Sequence, residues 1–126
     1  MYIIYVKLKI DLDLRAPIVK LPYPVMHPEL LRGAAAQAVG VLKTLANEDR
    51  MLLLCQLSQG EHCVSELQEE LGIYQPTLSQ QLGVLRNEGV VATRREGKNI
   101  YYSIANPAML EILALLHRLY CPEGEI

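Results

Sequence analysis

The sequence predicts a mainly α-helical domain carrying one β-hairpin. Three observations point there. From Pro28 onward apolar residues recur at helical spacing through most of the chain. One stretch, residues 90–104, breaks that spacing with two strand-like runs on either side of Glu96-Gly97-Lys98-Asn99. The composition, 51% hydrophobic and 21% charged over 126 residues, is that of one folded domain.

The first helix is read from Leu30, Leu31, Ala34, Ala35, Ala38, Val41, Leu42 and Leu45, which share a face. Asn47 is a good N-cap for the next, and Asp49 suits its positive first turn. That helix carries Met51 to Leu57 and stops at Gly60. A short helix over Val64–Leu71 ends at Gly72, and Gln75-Pro76 opens another that ends at Gly89. The hairpin pairs Val90–Arg95 with Ile100–Ile104. Asn106-Pro107 starts a last helix over Ala108–Tyr120.

Residues 1–26 differ from the main domain, 27–126. Ile4, Val6, Leu8, Ile10, Leu12 and Leu14 alternate with polar residues, a strand pattern that Pro17, Pro22 and Pro24 then stop. A lone strand needs a sheet to join. Two readings stand: a non-native extension ahead of a start at Met26, or an accessory strand at a sheet edge or dimer contact.

Net charge is −2, so any surface for nucleic acid must be local. Trp and Phe are absent, which makes the core aliphatic. No apolar run approaches the roughly 18 residues of a membrane span, and no secretory signal is read at the N-terminus. Three cysteines do not make a disulfide framework; reduced thiols and a cytoplasmic location are expected.

Two neighbouring elements suggest a function. The helices Val64–Leu71 and Pro76–Glu88 are joined by Gly72-Ile73-Tyr74-Gln75, a short glycine-containing turn that signals a helix–turn–helix. The second helix displays Thr77, Ser79, Gln80 and Gln81 near its start, with Gln75 just before it. Gln can bond adenine bidentately, and Thr and Ser can reach bases or phosphates. Leu78, Leu82 and Leu85 fall on the opposite stripe. Around the hairpin Arg86, Arg94, Arg95 and Lys98 stand against Glu88 and Glu96, placing cations where a wing would flank a recognition helix. Either element alone is an ordinary solvated surface; in this order they read as a winged helix–turn–helix that binds DNA.

A dimer follows from the last helix. Met109–Tyr120 has three non-apolar residues, Glu111, His117 and Arg118, and is too apolar for a monomer surface. Ala34, Ala35, Ala36 and Ala38 would let the first helix pack closely beside it. Burial within the monomer is the plainer reading, but a second subunit is the expected cover for so small a domain. Two reading helices should then meet an imperfect inverted repeat with half-sites about 34–36 Å apart.

The stretch from about residue 35 to 121 resembles the arsenic-repressor (ArsR/SmtB) family of winged-helix repressors. The resemblance rests on Leu42-Lys43-Thr44-Leu45-Ala46-Asn47-Glu48-Asp49-Arg50, Val64-Ser65-Glu66-Leu67, Gln75-Pro76-Thr77-Leu78-Ser79-Gln80-Gln81-Leu82, Leu85-Arg86-Asn87-Glu88-Gly89-Val90-Val91 and Arg94-Arg95-Glu96-Gly97-Lys98-Asn99-Ile100-Tyr101-Tyr102. One departure is Gln81, where many relatives carry His. The resemblance implies a homodimer that occupies an operator and leaves it when an inducer binds.

Metal is the common inducer in that family, so the ligands matter. A closed zinc site needs about four ligands. The histidines are His27, His62 and His117, Cys63 has no second Cys near it, and the family's Cys-x-Cys box is absent. No metal site and no cofactor are assigned. Cys63 stands where a Ser or Thr N-cap is usual. Cys55 lies inside an apolar helix and Cys121 directly follows the last one. By themselves these are two small buried hydrophobes. By resemblance to one branch of the family they are a dithiol sensor for persulfide or oxidant.

No Cys-x-x-Cys, nucleophile elbow or phosphate loop points to an enzyme. The expectation is a repressor released by oxidation or persulfidation of Cys55 and Cys121, with sulfane sulfur or an oxidant as inducer. The alternatives are a metal-responsive repressor, a thiol redox enzyme and a protein-interaction winged helix.

Overall fold

The computed structural model describes residues 27–121. The alternating segment of residues 4–15 and the prolines after it lie outside the described residues. Among the described residues five helices and three strands follow in order. They are α1 (Pro28–Leu45), α2 (Glu48–Leu57), β1 (His62–Cys63), α3 (Val64–Leu71), α4 (Thr77–Asn87), β2 (Val91–Glu96), β3 (Asn99–Ile104) and α5 (Pro107–Tyr120).

Local chemistry sets the element ends. The Asn47 side chain accepts the Arg50 N–H at 3.0 Å and starts α2. Asn106 does the same for α5 through the Ala108 N–H at 3.0 Å. Gly72 ends α3 at φ 67°, the left-handed conformation a side chain would disfavour. The wing turns at Gly97, φ 62°, between the paired Glu96 and Asn99. Pro76 sits at the N-cap of α4 rather than inside it, and Val90 precedes β2 rather than opening it.

Among the described residues the sheet has three strands in the order β1-β3-β2, all antiparallel. The hairpin is as expected, but β1 is an addition. His62 pairs with Tyr102 and Cys63 with Tyr101. Two residues are too short to show a period-2 pattern, which is why the sequence hides this strand. The pairing ties the wing back to the start of α3.

The core is aliphatic. Leu53 and Leu54 of α2, Leu67 of α3, and Leu78, Leu82 and Leu85 of α4 are almost wholly excluded from solvent. Ile73, from the turn, joins them with Val90, Val91, Met109 and Leu113. Burying each such leucine is worth about 1.5–3 kcal/mol. No helix among the described residues is long and apolar enough to cross a membrane.

Candidate nucleic-acid interface and thiol pair

Helix α4 is oriented by its leucines. With Leu78, Leu82 and Leu85 in the core, Ser79, Gln80 and Arg86 are left exposed and Thr77 half-buried. The turn before it is pinned by Ile73, 7% exposed, while Tyr74 stands out at 64%. A helix that presents short polar groups at its N-terminal end suits the edges of bases in a major groove.

Two of the side chains expected to meet DNA are held within the protein, Gln75 at the exposed start of α4 and Gln81 turned inward. The Gln75 carbonyl oxygen accepts the Ser79 N–H at 3.0 Å, satisfying a donor in the first turn of α4. The Gln81 carbonyl oxygen accepts from Arg50 Nη1 at 2.8 Å, and Gln81 is half-buried against α2. Residue 81 lies between the exposed and buried stripes of the helix, so spacing alone leaves its direction open.

The wing is less cationic than its linear count suggests. Arg94 is held by Glu61, from the loop after α2, with Nη2 2.6 Å from one carboxylate oxygen. It also bonds Glu96 at 2.7 Å and lies 4.6 Å from the Tyr101 ring centroid. Its hydrogen bonds to Glu61 hold that carboxyl below the usual range. The paired carboxylates also raise the Arg94 pKa. Among the described residues Arg95 reaches only the Gly97 carbonyl at 3.3 Å, and Lys98 is exposed at the wing tip. Arg86, Arg95 and Lys98 are therefore better placed than Arg94 to meet phosphates. Glu61 joins from 33 residues away, a distance no local charge count spans.

The cysteines separate into two classes. Cys63 is buried at the N-cap of α3, its N–H donating to the Glu66 carboxylate at 2.9 Å and its sulfur 3.2 Å from Ser65 Oγ. That bond lowers the Glu66 pKa. Cys55 and Cys121 instead share one cleft of 320 Å³ with Met51, Leu113, Leu116, His117 and Tyr120. The apolar walls desolvate the Cys55 thiol and raise its pKa, and repulsion from Cys121 adds to the rise. Cys55 is nonetheless exposed as a residue, and Cys121 half-buried, so reagents can reach both.

His62 stands 3.3 Å from Glu70 and its Nδ1 lies 2.8 Å from the Gly60 carbonyl oxygen. Among the described residues no three His, Cys, Asp or Glu side chains come together as a metal site.

Comparison with known proteins agrees with this geometry. Residues 47–93, which span α2 through the first residues of the wing, match the family described as "Bacterial regulatory protein, arsR family". The biofilm growth-associated repressor of Agrobacterium fabrum is 44% identical over 106 residues, covering 84% of this chain and 86% of that protein. Reduced HlyU from Vibrio cholerae superposes with a TM-score of 0.71 at 39% identity, over 75% of this chain and 99% of that one. The homodimeric winged helix–turn–helix DNA-binding domain of a Mycobacterium bovis protein gives 0.64 at 32% identity, over 75% and 88%. A reading helix, a wing and relatives of this closeness make one conclusion: the chain belongs to the ArsR family of bacterial regulatory proteins and is a DNA-binding transcriptional regulator with a winged helix–turn–helix, not an enzyme.

Proposed function

We propose that this chain is a homodimeric repressor whose reduced form holds an inverted-repeat operator and whose oxidised form releases it. The observation that carries the reading is the cleft shared by Cys55 of α2 and Cys121 at the end of α5. The description of the Vibrio cholerae relative as reduced agrees with a redox-responsive protein.

The chemistry balances in two ways. With a peroxide, the two thiols give up two electrons and two protons, a Cys55–Cys121 disulfide forms, and the peroxide becomes two molecules of water or of water and alcohol. With a persulfide donor, the Cys55 thiolate takes the outer sulfur and the donor leaves as a thiolate. Cys121 then attacks the Cys55 sulfur and expels hydrosulfide, leaving the same disulfide. Either way α2, in the reading core, becomes bonded to α5.

The dimer is carried by exposed apolar groups. Leu30, Leu31, Val39 and Leu42 of α1 and Leu110, Leu115 and Tyr120 of α5 are 43–66% exposed. A bond from α2 to α5 moves the reading heads against this face and spoils their spacing on DNA. Allosteric coupling of about 1–3 kcal/mol lowers operator affinity about 5–150-fold.

The test is operator binding after persulfide or peroxide treatment, with the products identified by mass spectrometry. Wild type and Cys63→Ser should release DNA, while Cys55→Ser and Cys121→Ser should stay bound. Release by the Cys55→Ser protein would sink the mechanism.

A further inference from the structure

The Arg50 guanidinium, on α2, makes three hydrogen bonds that join two other helices. Its Nε donates to the Thr44 carbonyl at 2.6 Å and its Nη2 to the Lys43 carbonyl at 3.1 Å. Both oxygens belong to the last turn of α1, where carbonyls lack partners within the helix and the dipole favours a cation. The third donor, Nη1, goes to the Gln81 oxygen on α4 at 2.8 Å. Thr44 is buried, with its hydroxyl bonded to the Gly40 carbonyl at 3.0 Å, so the receiving end of α1 is itself fixed.

We propose that Gln81 is a positioning residue that sets the spacing of the two reading helices. Through Arg50 it locks α4 to the C-terminal end of α1, and α1 carries much of the apolar face that pairs with a second copy. A guanidinium is planar and presents its donors in a fixed fork, so this bridge resists both rotation and sliding of α4. Gln81 therefore acts on where a reading helix stands, and Ser79 and Gln80 on what it reads. The inference rests on DNA binding by a dimer and is independent of the thiol switch.

The test needs duplexes that reduced wild-type protein enriches from a random-sequence pool. Affinities are then measured for wild type, Gln81→Glu and Gln81→Leu on the enriched duplex, on a version with one base pair inserted between its half-sites, and on versions with single base changes. Gln81→Glu keeps an acceptor for Arg50 and should bind the enriched duplex within about threefold of wild type, since what it retains is a hydrogen bond to a charged group. Gln81→Leu removes the acceptor and should cut the wild-type penalty for the inserted base pair by about tenfold. Its penalties for single base changes and its salt slope should match wild type, because every group that meets a base or a phosphate is still in place.

Opposite results overturn the inference. A carboxylate pointed at DNA would be repelled, so a drop in affinity of tenfold or more in Gln81→Glu, or loss of base preference at one position in Gln81→Leu, makes Gln81 a DNA-reading residue. An unchanged spacing penalty in Gln81→Leu removes the Arg50 bridge from the control of spacing. If wild-type protein enriches no duplex, DNA binding itself fails, and the inference with it.

Discussion

Helices α4 and α5 stand on one core, yet they use their apolar residues differently. Helix α4 buries Leu78, Leu82 and Leu85, and its outward face is mostly short and polar. Helix α5 buries Met109 and Leu113 and leaves Leu110, Leu115 and Tyr120 43–47% exposed. The first surface suits a polar, charged partner and the second an apolar one. On the function proposed above the two ends have separate roles: α4 is completed by DNA and α5 by another protein surface.

The largest effects should come from the core beneath α4. Leu82→Ala empties a site 1% exposed and should destabilise the fold by about 2–5 kcal/mol, measured by denaturant unfolding. Leu115→Ala, on the outer face of α5, should leave the monomer's intrinsic stability within about 0.5 kcal/mol while shifting the monomer–dimer equilibrium toward monomer in sedimentation. If the two variants are equally destabilised with no change in assembly, α5 is an ordinary half-buried helix and the contrast fails.

The thiol cleft lies between α2 and α5, and its pH dependence sharpens the contrast. Desolvation first, and then repulsion from Cys121, raise the Cys55 pKa. Cys121→Ser removes only the second cause. The pH profile of Cys55 alkylation should therefore move to lower pH in that variant, while staying above that of a fully exposed thiol. Identical profiles would mean that the two sulfurs do not interact. The sign for stability follows from the same shift. The folded state holds the Cys55 proton more tightly than the unfolded chain. This contribution is therefore complete below the unfolded thiol pKa and is lost as pH rises through the folded one.

Much of this is legible in the sequence, for physical reasons. The helices are written in local periodicity, and their ends in Asn47, Gly72 and Asn106, whose effects reach only a few residues. The helix–turn–helix and wing follow from element order. What stays hidden depends on pairings across the chain. Strand β1 exists because His62 and Cys63 meet Tyr102 and Tyr101. The inward turn of Gln81 needs Arg50, 31 residues earlier, and the neutralised Arg94 needs Glu61. Arg50 is visible as part of a family motif, but nothing in its neighbours says what it holds. The pairing of Cys55 with Cys121 comes from resemblance in the sequence, and their common cleft only from the fold.

The smallest expected effect is at the wing, and it tests whether pairing within the protein decides which cations DNA uses. Arg94, Arg95 and Lys98 look equivalent in sequence, but Arg94 is bonded to two carboxylates and stacked near Tyr101. To reach a phosphate it must leave those partners, whereas Lys98 at the tip is exposed. Each phosphate that the protein no longer neutralises makes the slope of log affinity against log salt shallower by about 0.9 on duplex DNA. Lys98→Ala should show a change of that size, with all sequences weakened alike. Arg94→Ala should leave the slope nearly unchanged, and Glu61→Gln should steepen it by weakening the clamp and freeing the guanidinium. A change as large as that of Lys98→Ala in the Arg94→Ala protein would mean that DNA pulls Arg94 out of its clamp, and that the wing rearranges on binding.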